Sequence, residues 1–252
     1  MKVTIIKLSG KKLNEIGSGF DIVKLIQSVQ QSGSKVILIH GGGKQITEWS
    51  KKLGVESEFI DGQRVTTDKV IPIVAAVQAG YLNKLIVAQL NKLGIDAFGI
   101  SGIDGNSFRA EIVDENLGFV GKPYINGTLD WLINMINKNI VPVFASICMD
   151  DYGNLLNVNA DYFVELIARE LNAEEVYYFS DVNGVHIKDI TVKVMSTEEI
   201  GMHISDGEIT GGMIPKLLSA VELINNGVKK IWIGKDWNFD GVTGGTEIVK
   251  SY

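Results

Sequence analysis

Lys7 stands inside an otherwise apolar run, Val3 to Leu8. An ammonium there is costly to bury without an anionic partner, so it is expected to point at a ligand. Three glycine clusters follow the same logic: Leu8-Ser9-Gly10, Gly41-Gly42-Gly43, and Gly211-Gly212 just ahead of Met213. Two of them follow apolar β-like runs and precede helical stretches, a position where bare N–H groups can hold a phosphate. Neither G-x-x-x-x-G-K-[ST] nor G-x-G-x-x-G occurs, because Gly43-Lys44 is followed by Gln45 and has no upstream glycine at the right distance, which argues against a P-loop enzyme or a dinucleotide-binding dehydrogenase. In Asn157-Val158-Asn159-Ala160-Asp161 two amides share one side of an extended segment and a carboxylate opens the next helix. They either converge on a ligand or make a turn in which Asn159 or Asp161 caps the helix. Arg64, in Asp61-Gly62-Gln63-Arg64-Val65-Thr66, either offers a fork to a carboxylate or is solvated. His40, His186 and His203 lack metal-ligand spacing and are read as structural, and no G-x-S-x-G elbow is present. Lysines and backbone amides without a general base suit phosphoryl transfer to an oxygen that is already ionised, such as a carboxylate with a pKa of about 4.

These residues must be positioned by an alternation of strand and helix. Strands are expected at Val3 to Leu8, Val36 to Ile39, Ala97 to Ile100, Ile140 to Ile147, Val176 to Phe179 and Val228 to Ile233. Their near-continuous apolar character implies burial on both faces of a mainly parallel sheet, hence a three-layer αβα sandwich. Helices are expected at Gly19 to Gln31, Lys44 to Leu53, Asp68 to Leu93, Thr128 to Asn137, Asp161 to Leu171 and Met213 to Asn226. Gly33, Gly54, Gly94 and Gly227 stand where left-handed C-terminal caps want glycine, and Ser196 with Glu199 can form a capping box. No repeat or linker divides the chain; a soft boundary falls near residue 175, between an N-terminal lobe of about 1–175 and a C-terminal lobe of about 176–252.

The chain has 252 residues and a net charge of −6 without any block of like charges, so nucleic acid is not an expected partner and an anionic ligand must be held by local groups. With 28 glycines against 4 prolines, the glycine excess belongs to turns and ligand loops rather than linkers. Cys148, the single cysteine, lies in an apolar run and is expected to be a buried, inert thiol, which fits a reducing cytoplasm. The longest apolar stretch, Val70 to Val77, is too short to span a bilayer.

Six segments together carry a family resemblance: I-K-L-S-G (Ile6 to Gly10), I-H-G-G-G-K-Q-I (Ile39 to Ile46), F-I-D-G-Q-R-V-T (Phe59 to Thr66), N-V-N-A-D (Asn157 to Asp161), S-D-V-N-G-V (Ser180 to Val185) and I-T-G-G-M-I-P-K (Ile209 to Lys216). The chain resembles the amino acid kinase superfamily and, within it, the N-acetylglutamate kinases, from Ile5 to Gly245-Thr246. The resemblance implies ATP-Mg²⁺-dependent phosphorylation of the side-chain carboxylate of an N-acylglutamate, the second step of arginine synthesis. It implies that Lys7 and Lys216 flank the migrating phosphoryl group and that Asp161 holds both ammonium groups. Gly42, Gly43, Arg64, Asn157 and Asn159 would bind the amino acid, with Arg64 on its α-carboxylate. Gly10, Ser180, Asp181, Val182, Asn183, Gly184, Val185, His186, Glu208, Ile209, Thr210 and Gly212 would line the nucleotide site, with Mg²⁺ carried by the phosphates.

Two departures stand beside the phosphates: Ser9 where the family usually has glycine, so that a hydroxyl alters or supplements an amide contact, and Lys11 where an apolar residue is usual. The acyl group, whether acetyl, succinyl or another, is fixed by no motif. Arginine-inhibited hexameric members carry an extra helix before the first strand, so an arginine-insensitive homodimer paired through Asp68 to Leu93 is expected. Two other readings are a kinase acting on carrier-protein-linked glutamate or aminoadipate, and a non-catalytic relative that senses a nucleotide or amino acid.

Overall fold

The structure, a computed structural model, describes residues 1–9, 22–237 and 244–251. Its strands are β1 Val3–Leu8, β2 Lys35–His40, β3 Phe59–Ile60, β4 Gln63–Arg64, β5 Ala97–Ser101, β6 Phe108–Ile112, β7 Val120–Ile125, β8 Val141–Ala145, β9 Ile147–Met149, β10 Leu155–Val158, β11 Glu175–Phe179, β12 His186–Ile187, β13 Ile190–Thr191, β14 Val194–Ser196, β15 Lys230–Asp236 and β16 Gly244–Val249. Its helices are α1 Ile22–Gln31, α2 Gly43–Lys52, α3 Ile71–Lys92, α4 Asp130–Asn137, α5 Ala160–Glu170, α6 Thr197–Ser205 and α7 Met213–Asn225. The expected start of the first helix at Gly19 lies outside the described residues.

The expected sandwich is present. Eight strands form one sheet in the order β14-β16-β15-β11-β1-β2-β8-β5, parallel throughout except for the β15–β16 pair. Alternate residues of the central strands feed two cores: Val3, Ile5, Ile37 and Ile39 pack with Leu132, Phe163 and Leu217 of α4, α5 and α7, whereas Ile6, Leu8, Val36 and Leu38 pack with residues of α1, α2 and α3. That split is the period-two geometry of a strand buried on both faces. The four predicted glycine caps all have left-handed backbones, and Ser196 and Glu199 close their capping box.

Three expectations need correction. The run Ile140 to Ile147 is two strands in two sheets: β8 belongs to the main sheet, and β9 to a four-stranded sheet ordered β6-β7-β10-β9. The chain changes sheets at buried Ser146, whose N–H donates to His40 O and whose C=O accepts from Val158 N. β5 is not buried on both faces; it is the sheet edge, and Phe98 is 56% exposed. The helix expected from Asp68 starts at Ile71 and contains a π-helical turn from Ala76 to Leu82. Considered whole, α3 is long and apolar enough to cross a membrane by length and composition. Its inner face, including Val74, Val77, Ile86 and Leu90, is nonetheless buried in the core, and the helix packs on β5 and β8.

Candidate active site

The carboxyl ends of β1 and β2 meet α2 and the β3–β4 hairpin around a cavity of about 300 Å³. Gly42, Gly43, Arg64, Asn157, Asn159 and Lys7 all line it, so the sequence-predicted amino-acid residues come together. Among the described residues that line it, Lys7 and Arg64 are the charged ones and none is a carboxylate. The α2 N-terminus at Gly42 has no side-chain cap, which leaves its first N–H groups for a ligand. A Cβ on Gly42 would stand 2.9 Å from Gln78 Cγ and 3.0 Å from Leu82 Cδ1, so glycine lets α2 start against α3.

Arg64 is buried and rigidly held. Its Nη1 donates to Ser57 Oγ (2.8 Å), its Nη2 donates to Gly43 O (2.9 Å) and Thr47 Oγ1 (2.7 Å), and the guanidinium lies 4.7 Å from the Phe59 ring centre. Burial lowers its pKa from the ordinary arginine value. A guanidinium oriented by neutral acceptors alone is ready to receive a carboxylate.

Behind it runs a chain of hydrogen bonds. Ser146 Oγ donates to Gln78 Oε1 (3.0 Å), Gln78 Nε2 to Asn157 Oδ1 (3.4 Å), Asn157 Nδ2 to Thr66 Oγ1 (3.1 Å), and Thr66 Oγ1 to Arg64 O (3.1 Å). The second Nδ2 hydrogen of Asn157 stays available to the cavity. Sequence reasoning did not single out Gln78, Ser146, Thr66 or Phe59 as site residues. The available signal was Gln78 itself, the only side-chain amide in the apolar stretch 70–82. Asn159 is the α5 N-cap: its Oδ1 accepts from Asp161 N at 3.0 Å, so of the two roles weighed for it the capping one is realised, while it also lines the cavity.

Asp161 was expected to hold both ammonium groups. In the structure its Oδ1 meets Lys7 Nζ at 3.0 Å, and Lys216 Nζ donates instead to Ser180 Oγ at 2.8 Å. Lys216 lies on the first turns of α7, which begins after Gly211-Gly212. Burial lowers its pKa, Lys7 lowers it further, and Asp161 and Asp181 oppose both, so the two lysines share one electrostatic neighbourhood. Two cations beside one carboxylate, next to an uncapped helix N-terminus, fit an anionic phosphate group.

The residues expected at the nucleotide site differ in exposure. Asp181, Val182, Asn183, His186, Thr210 and Gly212 are exposed, Ser180, Gly184 and Ile209 are buried, and Glu208 is half-buried. Val185 is fully buried, and its N–H donates to Thr246 Oγ1 at 2.7 Å, so its side chain belongs to the core. Glu208 pairs with His203 and Lys188. The Ser9 hydroxyl donates to Asp181 at 3.1 Å, which ties the loop after β1 to the loop after β11. Gly10 and Lys11 lie outside the described residues. His40 is structural as expected: it is wholly buried between Gly41 O and Asn83 Nδ2, and burial pushes its pKa down to about 4. Cys148 is likewise buried, its thiol pushed up to about 12 by burial.

Residues 2–235 match the amino acid kinase family model, and the chain belongs to that family. Within it, the curated relatives with high similarity are acetylglutamate kinases. The enzyme of Bacillus licheniformis is 36% identical over 92% of this chain and 89% of its own length, and that of Bacillus velezensis is 36% identical over 99% and 98%. Among solved structures, smu.665 from Streptococcus mutans has a TM-score of 0.86 at 24% identity, covering 98% of each chain. Carbamate kinase from Giardia lamblia bound to AMP-PNP has a TM-score of 0.67 at 17% identity over 99% of each chain. Those two likenesses show the shared fold.

Proposed function

We propose that the protein is an acetylglutamate kinase, which transfers the γ-phosphoryl group of ATP to the side-chain carboxylate of N-acetyl-L-glutamate as a step of arginine biosynthesis. The observation that carries this is the cavity's charge: among the described residues that line it are two cations, Lys7 and Arg64, and no acid. An N-acylated glutamate brings two carboxylates and no ammonium, whereas free glutamate brings an ammonium that would find no carboxylate among the described residues of the wall. Acetylglutamate kinases at 36% identity over nearly the full chain support the same substrate.

Each residue then has a task. Arg64 takes the α-carboxylate, Asn157 and the α2 N–H groups orient the backbone of the substrate, and Lys7, steered by Asp161, faces the reacting carboxylate. Lys216 lies on the phosphate side with the α7 N-terminus. The attacking oxygen is already ionised at neutral pH, so no general base is required. What the site must supply is fixed positive charge, because an anionic nucleophile approaching a triphosphate is repelled and negative charge spreads over the transferring oxygens. ATP is the donor, and Mg²⁺ is carried by its phosphates. The loops 180–186 and 208–212 of the C-terminal lobe, about 176–252, hold the nucleotide, and the N-terminal lobe, about 1–175, holds the amino acid. The buried thiol suits a cytoplasmic enzyme. Pairing of two copies through α3 and the uncovered β5 edge, where Tyr81 and Phe98 are about half exposed, makes a homodimer that sedimentation equilibrium should register and a monomer would refute.

The test is trapping with hydroxylamine after incubation with ATP-Mg²⁺ and N-acetyl-, N-succinyl- or free L-glutamate. Hydroxamate should form from the N-acetyl substrate and fall by about 10² to 10³ in Lys216→Ala. Product from free glutamate alone would overturn the acylated-substrate reading, and none from any compound would favour a sensor.

A further inference from the structure

His40 is a titratable side chain that the phosphoryl transfer above does not use. It ends β2, directly before the triple glycine, and is wholly buried. Its Nδ1 stands 2.8 Å from Gly41 O, a carbonyl that can only accept, so Nδ1 carries a proton. Its Nε2 stands 3.2 Å from Asn83 Nδ2 of α3. The other partners of Asn83 fix the sense of that second bond. Lys84 Nζ donates to Asn83 Oδ1 at 3.2 Å, and Asn83 Nδ2 faces the carbonyl oxygens of Val143 (2.8 Å) and Ile100 (3.4 Å). The amide nitrogen is therefore the donor and Nε2 the acceptor, which describes a neutral imidazole protonated on Nδ1. Burial favours the same neutral form.

The Gly41–Gly42 peptide is trans, so its C=O and N–H point in opposite directions. Holding Gly41 O against the imidazole in the core turns Gly42 N–H the other way, towards the cavity that both glycines line. That N–H donates to no backbone carbonyl among the described residues, and no side chain caps α2 there. In a run of three glycines no Cβ restrains the peptide, which without an anchor could turn over at little steric cost.

We propose that His40 is a positioning residue: its Nδ1–H, in the tautomer set by Asn83, holds the Gly41–Gly42 peptide so that Gly42 N–H faces the acylated amino acid. It touches no substrate and acts through that peptide. This rests on the reading of the Gly42 loop as part of the amino-acid site.

Two variants separate this role from packing. Asparagine at position 40 places an amide nitrogen where Nδ1 stands, whereas glutamine places its amide near Nε2 and leaves Gly41 O without a donor. In steady-state kinetics His40→Gln should lower kcat/KM for N-acetyl-L-glutamate by about tenfold or more, the size of one lost hydrogen bond to a charged group, with the KM for ATP within twofold. His40→Asn should keep kcat/KM within about threefold of wild type, since it restores the donor to Gly41. Thermal unfolding of both is measured alongside. Equal losses in the two variants, a loss shared equally between the two substrates, or losses that follow the unfolding midpoint would overturn the proposal. The wild type supplies a second reading that needs no substitution: long-range ¹H–¹⁵N correlation spectra at pH 7 should show His40 neutral with its proton on Nδ1, and a proton on Nε2 would overturn it. If the wild type forms no acyl phosphate, the proposed function fails; if it does and the two His40 variants behave alike, the positioning role alone fails.

Discussion

Arg64 shows how a residue type becomes a function only when its surroundings are known. In the sequence its fork could equally have been solvated; the structure buries it against Phe59 and spends three of its donor contacts on Ser57, Gly43 and Thr47. Lysine cannot reproduce that geometry, so Arg64→Lys should raise the KM for the acylated amino acid by about 10- to 100-fold while the KM for ATP stays within twofold, as initial-rate kinetics would show. Equal changes in both would argue against a carboxylate clamp. Lys216 gives a pH prediction. Burial and Lys7 both favour its neutral form, so it loses its proton at a lower pH than a free lysine, and the alkaline limb of kcat should fall below the ordinary lysine range. Asp181 opposes that shift, so Asp181→Asn removes a stabiliser of the ammonium and should move the limb to lower pH still. A limb unmoved or displaced upward in the pH–rate profile would contradict this assignment. Lys7 was legible because a charge inside an apolar strand needs a partner; its partnership with Asp161, and that of Lys216 with Ser180, depend on distances no linear pattern contains.

Elements were legible where a local rule fixes them. The glycine caps and the Ser196–Glu199 box follow from backbone sterics and end-group hydrogen bonding, and they are found where expected. The break at Ser146 was not legible, since an apolar run continues through it and its cause is a pair of long-range bonds to His40 and Val158. The π-helical turn of α3 was equally hidden, yet it carries Gln78 to the point where Ser146 and Asn157 meet. Gly42 closes the same junction from the other side. In Gly42→Ala the new methyl would collide with Gln78 and Leu82, both buried in α3. The unfolding free energy should fall by about 1–3 kcal/mol, and the KM for the amino acid should rise as Gln78 is pushed from Asn157. Denaturant titration and kinetics measure the two effects, and a variant with native stability and KM would show that the contact yields freely.

At the scale of the whole molecule, the alternation of strands and helices was enough for a three-layer sandwich but not for its strand order. That order sets β11 beside β1 and so brings Ser180, Asp181 and the start of α7 to the end of the strand that carries Lys7. Residues 7, 161 and 216 converge because parallel strands deliver their carboxyl ends to one edge, where ligands of such sheets bind. The four-stranded second sheet went unread, because β6, β7 and β10 are short and only partly apolar, and β9 continues the apolar run of β8. It nonetheless supplies Asn157 to the cavity and leads into α5.

The central claim is that a substrate carboxylate, positioned among these cations, attacks phosphorus directly. It can be tested with N-acetyl-L-glutamate carrying ¹⁸O in its side-chain carboxylate, incubated with ATP-Mg²⁺ and the wild-type protein, followed by hydroxylamine. Attack by hydroxylamine at the carbonyl carbon releases the bridging oxygen with phosphate. Mass spectrometry should find phosphate carrying one ¹⁸O per turnover; unlabelled phosphate would mean that water, not the carboxylate, is the acceptor.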